Sequence, residues 1–179
     1  LTSGTNSQLN SIHFIDENNG FVTGGDNYGG SGIILKTTDG GSTWVTKYIE
    51  SEQMIWSTKF TSSTVGIAVG GLNTGMNSKI LKTTDSGETW NDISNPTSNI
   101  LYSVDFPTDL IGYASGFNGT ILKTTDGGNN WIELNSITTN RLNSVFFVNE
   151  NIGYIAGDNG AIIKTTNGGV TGVNYNEID

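Results

Sequence analysis

Three aspartates, Asp39, Asp85 and Asp126, stand in one recurring setting, with a threonine two residues before and a glycine two residues after each. A carboxylate in a glycine-rich turn could hold a cation, move a proton, or cap the turn itself. A calcium loop needs several oxygen ligands at alternating positions, and "DGGSTW" offers one carboxylate. The setting is written out as "ILKTTDGGSTW" from Ile34, "ILKTTDSGETW" from Ile80 and "ILKTTDGGNNW" from Ile121, with a worn copy "IIKTTNGGVTG" from Ile162. Equivalent copies point to architecture before chemistry. The carboxylate is expected to accept hydrogen bonds from backbone N–H groups just ahead of it. Gly41, Gly87 and Gly128 supply a backbone conformation that residues with a Cβ avoid. Trp44, Trp90 and Trp131 bury large rings beside the turn.

The remaining chemistry-bearing residues are few. Seventeen acids make accidental pairs such as Asp105 and Asp109 common, and none is singled out as a glycosidase pair. His13, the single histidine, has Lys59, Asp105 and Phe146 as its repeat equivalents, which reads as an exposed strand position. Lys36, Lys82, Lys123 and Lys164 recur with the motif and read as solvated residues at strand ends, with an anion-facing ring as the weaker alternative. No catalytic residue, metal site or cofactor is expected.

Differences between the copies are more informative. At one first-strand position, Trp56 and Tyr102 replace Asn10 and Asn143, and Phe117 stands where the last copy has Asp158. These aromatics form a candidate binding platform for a protein loop or a sugar face. Tyr28 and Met76, in the inserted loops "GGDNYGGSG" and "GGLNTGMNS", are expected to rim it, because functional variation concentrates in loops on a rigid scaffold.

The elements that must position these residues follow from the repeat. The motif lysines are 41 to 46 residues apart, and each is preceded by a first-strand segment: "LNSIHF", "IWSTKF", "LYSVDF" and "LNSVFF". Each repeat holds four short segments with glycine-rich breaks, the last entered at the tryptophan. Four antiparallel strands repeated at this period define an all-β propeller of four blades, alone or within a larger propeller. The blades are expected at about 5–49, 50–95, 96–136 and 137–172, with 173–179 as a tail or linker. Residues 1–4 align with an outer strand, and Gly172 replaces the tryptophan where the last blade's outer strand should begin. Leu1 to Ser3 are therefore expected to close the last blade, within one chain or across a homodimer that completes a ring.

A net charge of −9, from 8 basic and 17 acidic residues, argues against nucleic acid and anionic membrane surfaces. No apolar run is long enough to span a bilayer as a helix, and cysteine is absent. Only 14% of residues are charged and 25 are glycine, which suits an extracellular all-β protein.

The pattern Thr-x-Asp-x-Gly-x-Thr-Trp resembles the Asp-box, or bacterial neuraminidase repeat. It is complete at Thr37–Trp44 and Thr83–Trp90, has Asn130 for the second threonine in the third copy, and has Asn167 and Gly172 for Asp and Trp in the fourth. The whole repeat is similar to propellers of the photosystem II stability and assembly factor type, found in secreted bacterial proteins. The resemblance implies a secreted or cell-surface binding module without enzymatic activity that takes a protein or glycan ligand. The alternatives are a glycosidase-related propeller and a structural spacer. Sialidases resemble one another in using three arginines to clamp the substrate carboxylate, and this chain has only Arg141.

Overall fold

The computed structural model describes residues 2–26, 30–72 and 77–169 and the backbone of residues 176–177. The first sheet holds β1 (Gln8–Phe14), β2 (Gly20–Gly25), β3 (Ser31–Thr37) and β4 (Val45–Ser51). The second holds β5 (Met54–Phe60), β6 (Gly66–Gly71), β7 (Ser78–Thr83) and β8 (Asn91–Asp92). The third holds β9 (Leu101–Asp105), β10 (Gly112–Gly116), β11 (Ile121–Thr124) and β12 (Ile132–Glu133). The fourth holds β13 (Leu142–Phe147), β14 (Gly153–Gly157), β15 (Ile162–Thr165) and β16 (Asn176–Glu177). Each sheet is an antiparallel meander in chain order, which is the form of a propeller blade.

The middle strands are covered on both faces. Every residue of β2, β6 and β10 is buried, which explains why the sequence lacks polar alternation there. Three cores lie between successive blades. Phe21 and Ile34 of the first blade pack on Ile55, Phe60 and Leu81 of the second. Ile67, Val69 and Ile80 of the second meet Leu101, Val104 and Phe106 of the third. Tyr113 and Ile121 of the third meet Leu142, Val145 and Phe147 of the fourth. The first strand of each blade is the innermost, since β1, β5, β9 and β13 pack on one another in turn.

The chain ends differ from the sequence expectation. β16 pairs with β15, matching Ile163 to Glu177 and Lys164 to Asn176, so the last blade draws its outer strand from what was read as a tail. A strand ladder needs backbone groups and no tryptophan, so Gly172 did not forbid it. Thr2 to Gly4 form no strand, and Leu1 lies outside the described residues. The N-terminal segment uses its polar groups locally: Ser3 Oγ donates to the Thr5 carbonyl, and Thr5 Oγ1 accepts from Ser7 N–H. Leu9, Ile12 and Phe14 of the first blade and Tyr154 and Ile162 of the fourth are exposed, while Val22, Ile33 and Leu35 of the first are buried beside Trp44.

Candidate binding face

Each blade has two ends with different jobs. At one end, Thr37 Oγ1 accepts from Gly41 N–H at 2.9 Å and donates to Asp39 Oδ1 at 2.8 Å. Asp39 in turn accepts from Thr43 N–H at 2.8 Å and Thr43 Oγ1 at 2.6 Å. Asp85 repeats this with Thr83 and Thr89, and Asn130 replaces the threonine at Asp126. Threonine hydrogen bonds lower Asp39 and Asp85 to about 2, and those from Asn130 do the same for Asp126. A carboxylate that satisfied is a turn cap and a poor proton donor. Beside these turns Trp131 is buried, while Trp44 and Trp90 are half-buried. Asp105 is equally committed, paired with Lys59 at 3.0 Å and accepting from Phe147 N–H at 2.7 Å.

The motif lysines are not solvated strand ends. Lys36 Nζ donates to the Ser86 carbonyl and to Glu88, Lys82 to the Gly127 carbonyl and Lys123 to the Gly168 carbonyl, all within 2.7–2.8 Å. Each of these three lysines therefore ties its blade to the aspartate turn of the next, or to Asn167's turn in the last. His13 is also covered, half-buried and stacked on Phe60 at 6.1 Å. Desolvation, then the nearby Lys59 charge, push its pKa below the usual histidine value.

At the other end the first strand of every blade carries a bulge. Pairing jumps from Leu9 to Ser11, from Ile55 to Ser57, from Leu101 to Ser103 and from Leu142 to Ser144. The skipped residues are Asn10, Trp56, Tyr102 and Asn143, the positions at which the copies differ. A bulge leaves its extra residue unpaired and re-aims the side chain, so the four form a row along the innermost strands. Trp56 and Tyr102 meet edge to face, with ring centroids 5.4 Å apart and planes at 74°. The Arg141 guanidinium lies over the Tyr102 ring at 5.5 Å, held by Asp158 at 3.1 Å. Asn143 donates to the same carboxylate at 2.8 Å, and this bond, ahead of Arg141, lowers the Asp158 pKa. Burial raises the Tyr102 pKa against the pull of Arg141. The Trp56 indole N–H is buried and has no acceptor among the described residues.

The structure thus brings Trp56 and Tyr102 together, and leaves Phe117 exposed on the β10–β11 turn at the same end, without ring contact to either among the described residues. Tyr28 and Met76 lie outside the described residues. Arg141 was missed as a site residue. It stands where the other copies have Gln8, Met54 and Ile100, and that departure was its signal. No group of three or more His, Asp or Glu side chains gathers among the described residues.

These sheets, turns and bulges define a β-propeller of the BNR-repeat class. Within that class, the chain belongs to the Photosynthesis system II assembly factor YCF48 family, whose model matches residues 1–95 and 89–176. Its fold is similar to that of YCF48 bound to D1 peptide, at 19% identity and a TM-score of 0.74, covering 100% of this chain and 56% of that one. It is also similar to YCF48 from Cyanidioschyzon merolae, at 18% identity and a TM-score of 0.66, covering 88% and 50%. An ancestral GH74 enzyme shares the fold at 16% identity and a TM-score of 0.77, covering 99% of this chain and 26% of the enzyme. The chain thus spans about half of either YCF48 structure. No curated protein matches the chain in sequence.

Proposed function

We propose that this chain is a non-enzymatic, secreted or cell-surface interaction module that receives an extended peptide along the bulge row Asn10, Trp56, Tyr102 and Asn143. The observation that carries this reading is the Trp56–Tyr102 pair, two rings set edge to face at the bulge positions where the first and last copies have Asn10 and Asn143. The paired rings supply apolar area at low entropic cost. Arg141 is placed beside the row to meet an acidic side chain or a terminal carboxylate, at the cost of its bond to Asp158. The relative bound to D1 peptide supports protein rather than glycan as the ligand. The extracellular setting rests on composition.

The test is a peptide-display selection on this chain, followed by calorimetric titration of an enriched peptide. Trp56→Ala or Tyr102→Ala is expected to weaken binding by about 30-fold or more, the range of a central aromatic hot spot. Equal binding to both variants refutes the site. A β-glucan oligosaccharide titrated in parallel should give no heat and no hydrolysis.

A further inference from the structure

The tip of the β9–β10 turn carries a residue type that its three copies lack. Leu110 stands where the other blades have Asn18, Thr64 and Asn151. All four positions are exposed, so this tip faces solvent in every blade. Leu110 itself is 61% exposed, and Ile111 beside it is partly buried against the core between the third and fourth blades. With Thr108, Asp109, Thr125 and Glu150 they line an open groove of about 530 Å³ where those two blades meet. The groove lies at the aspartate end, away from the bulge row.

Both sides of the groove are acidic. Asp109 and Glu150 hold the same repeat position on successive turns, whereas Ser63 holds it on one side of each of the other two junctions. Asp109 has no ion pair among the described residues. Lys123 lies near Glu150, but its Nζ is spent on the Gly168 carbonyl at 2.7 Å. The backbone of both turns is already fixed. Gly127 N–H donates to the Leu110 carbonyl at 2.9 Å, and Gly168 N–H to the Asn151 carbonyl at 2.8 Å. Ile111 N–H donates to Thr108 Oγ1 at 3.0 Å. A groove held in this way asks little ordering of its own residues when a partner arrives.

We propose that this groove docks an arginine-bearing segment of a partner protein. The guanidinium meets the carboxylates of Asp109 and Glu150, and its methylene stem lies along Leu110 and Ile111. An exposed leucine alone is an ordinary surface feature, and two surface carboxylates alone are solvated. Joined in one groove, they match a side chain that is apolar along its length and cationic at its tip. Arginine suits the place better than lysine, because its planar fork serves two carboxylates at once. The chain's net charge of −9 draws a basic segment towards it. This surface and the bulge row stand at opposite ends of β9.

An NMR titration of the 179-residue chain, read at its backbone amides, tests this. The probe is a blocked leucine–arginine–leucine tripeptide, with its glutamine counterpart as the control. The arginine peptide should give saturable shifts at Leu110, Ile111 and Thr125, and the glutamine peptide none. Two variants change exposed side chains only, so each should keep the amide spectrum of the fold elsewhere. One is Leu110→Asn, which takes the residue of the first and fourth copies, and the other joins Asp109→Asn to Glu150→Gln. Each should weaken binding by about fivefold or more. Absence of saturable shifts at the groove, or equal binding of the glutamine peptide, would overturn the proposal. So would wild-type binding in either variant, or shifts centred on Trp56 and Tyr102 instead.

Discussion

Replacing Gly87 by alanine tests the packing between blades directly. Gly87 has φ of +76°, a region that costs an L-residue about 1–2 kcal/mol. An added Cβ would also stand 2.3 Å from the nearest Phe21 ring carbon. That ring has little room to retreat, being stacked on Phe60 at 4.1 Å and set edge-on to Trp90. Overpacking of this kind costs about 1–3 kcal/mol, so Gly87→Ala should lose roughly 2–5 kcal/mol in all. With a urea slope of about 2 kcal/mol per molar, the unfolding midpoint should fall by roughly 1–2.5 M at unchanged slope. Phe21→Ala removes the conflicting ring, which an aliphatic chain would not do, since a Cβ on Gly128 would meet Ile67, at the same place in the second blade, at 2.6 Å. In that background Gly87→Ala should cost only the backbone part, giving a coupling of about 1–3 kcal/mol between the two sites. Equal cost in both backgrounds would refute the argument, because strain at Gly87 would then owe nothing to the preceding blade.

Trp131→Ala should destabilise by about 3–5 kcal/mol in urea unfolding, since the ring is buried against Phe106. Trp44→Ala should cost clearly less, since that ring is only half-buried. The aspartate turns set an acid limit on stability. Folding depresses Asp39, Asp85 and Asp126 to about 2 from an ordinary 3.8, so the unfolded chain binds more protons between these values. Their contribution is complete above about 4 and is lost as pH falls towards 2. Asp85→Asn should lower stability at neutral pH and flatten the acid slope, read from thermal melts at stepped pH. An unchanged slope would mean that Asp85 does not hold its turn.

Side-chain periodicity carried the architecture. The recurring Lys-Thr-Thr-Asp and the tryptophan located the β3–β4 type turn of the first three blades, because those turns are built from side-chain hydrogen bonds that only certain residue types can make. The lysines were visible at the right places and still misread. Their acceptors are backbone carbonyls about one repeat away, and a carbonyl leaves no mark in the sequence. The same blindness explains the closing strand, since β16 joins its sheet through backbone groups alone. The bulges were hidden too, although the residues they eject, Trp56 and Tyr102, stood out by differing from Asn10 and Asn143.

That difference has a physical basis in the two ends of the blade. At the aspartate end each turn from the second blade onward is gripped by its own threonine and by the preceding blade's lysine, so a changed side chain there loosens two blades at once. At the bulge end the ejected residue is outside the strand ladder, and its neighbours keep their pairing whatever it is. Substitution at positions 10, 56, 102 and 143 is therefore nearly free for the scaffold, and the side chain there is open to selection by a ligand. Asn10 supports this in the negative: it turns its amide to the Ile55 carbonyl at 3.3 Å, a contact that neither Trp56 nor Tyr102 makes, and the blade pairing is the same in all three.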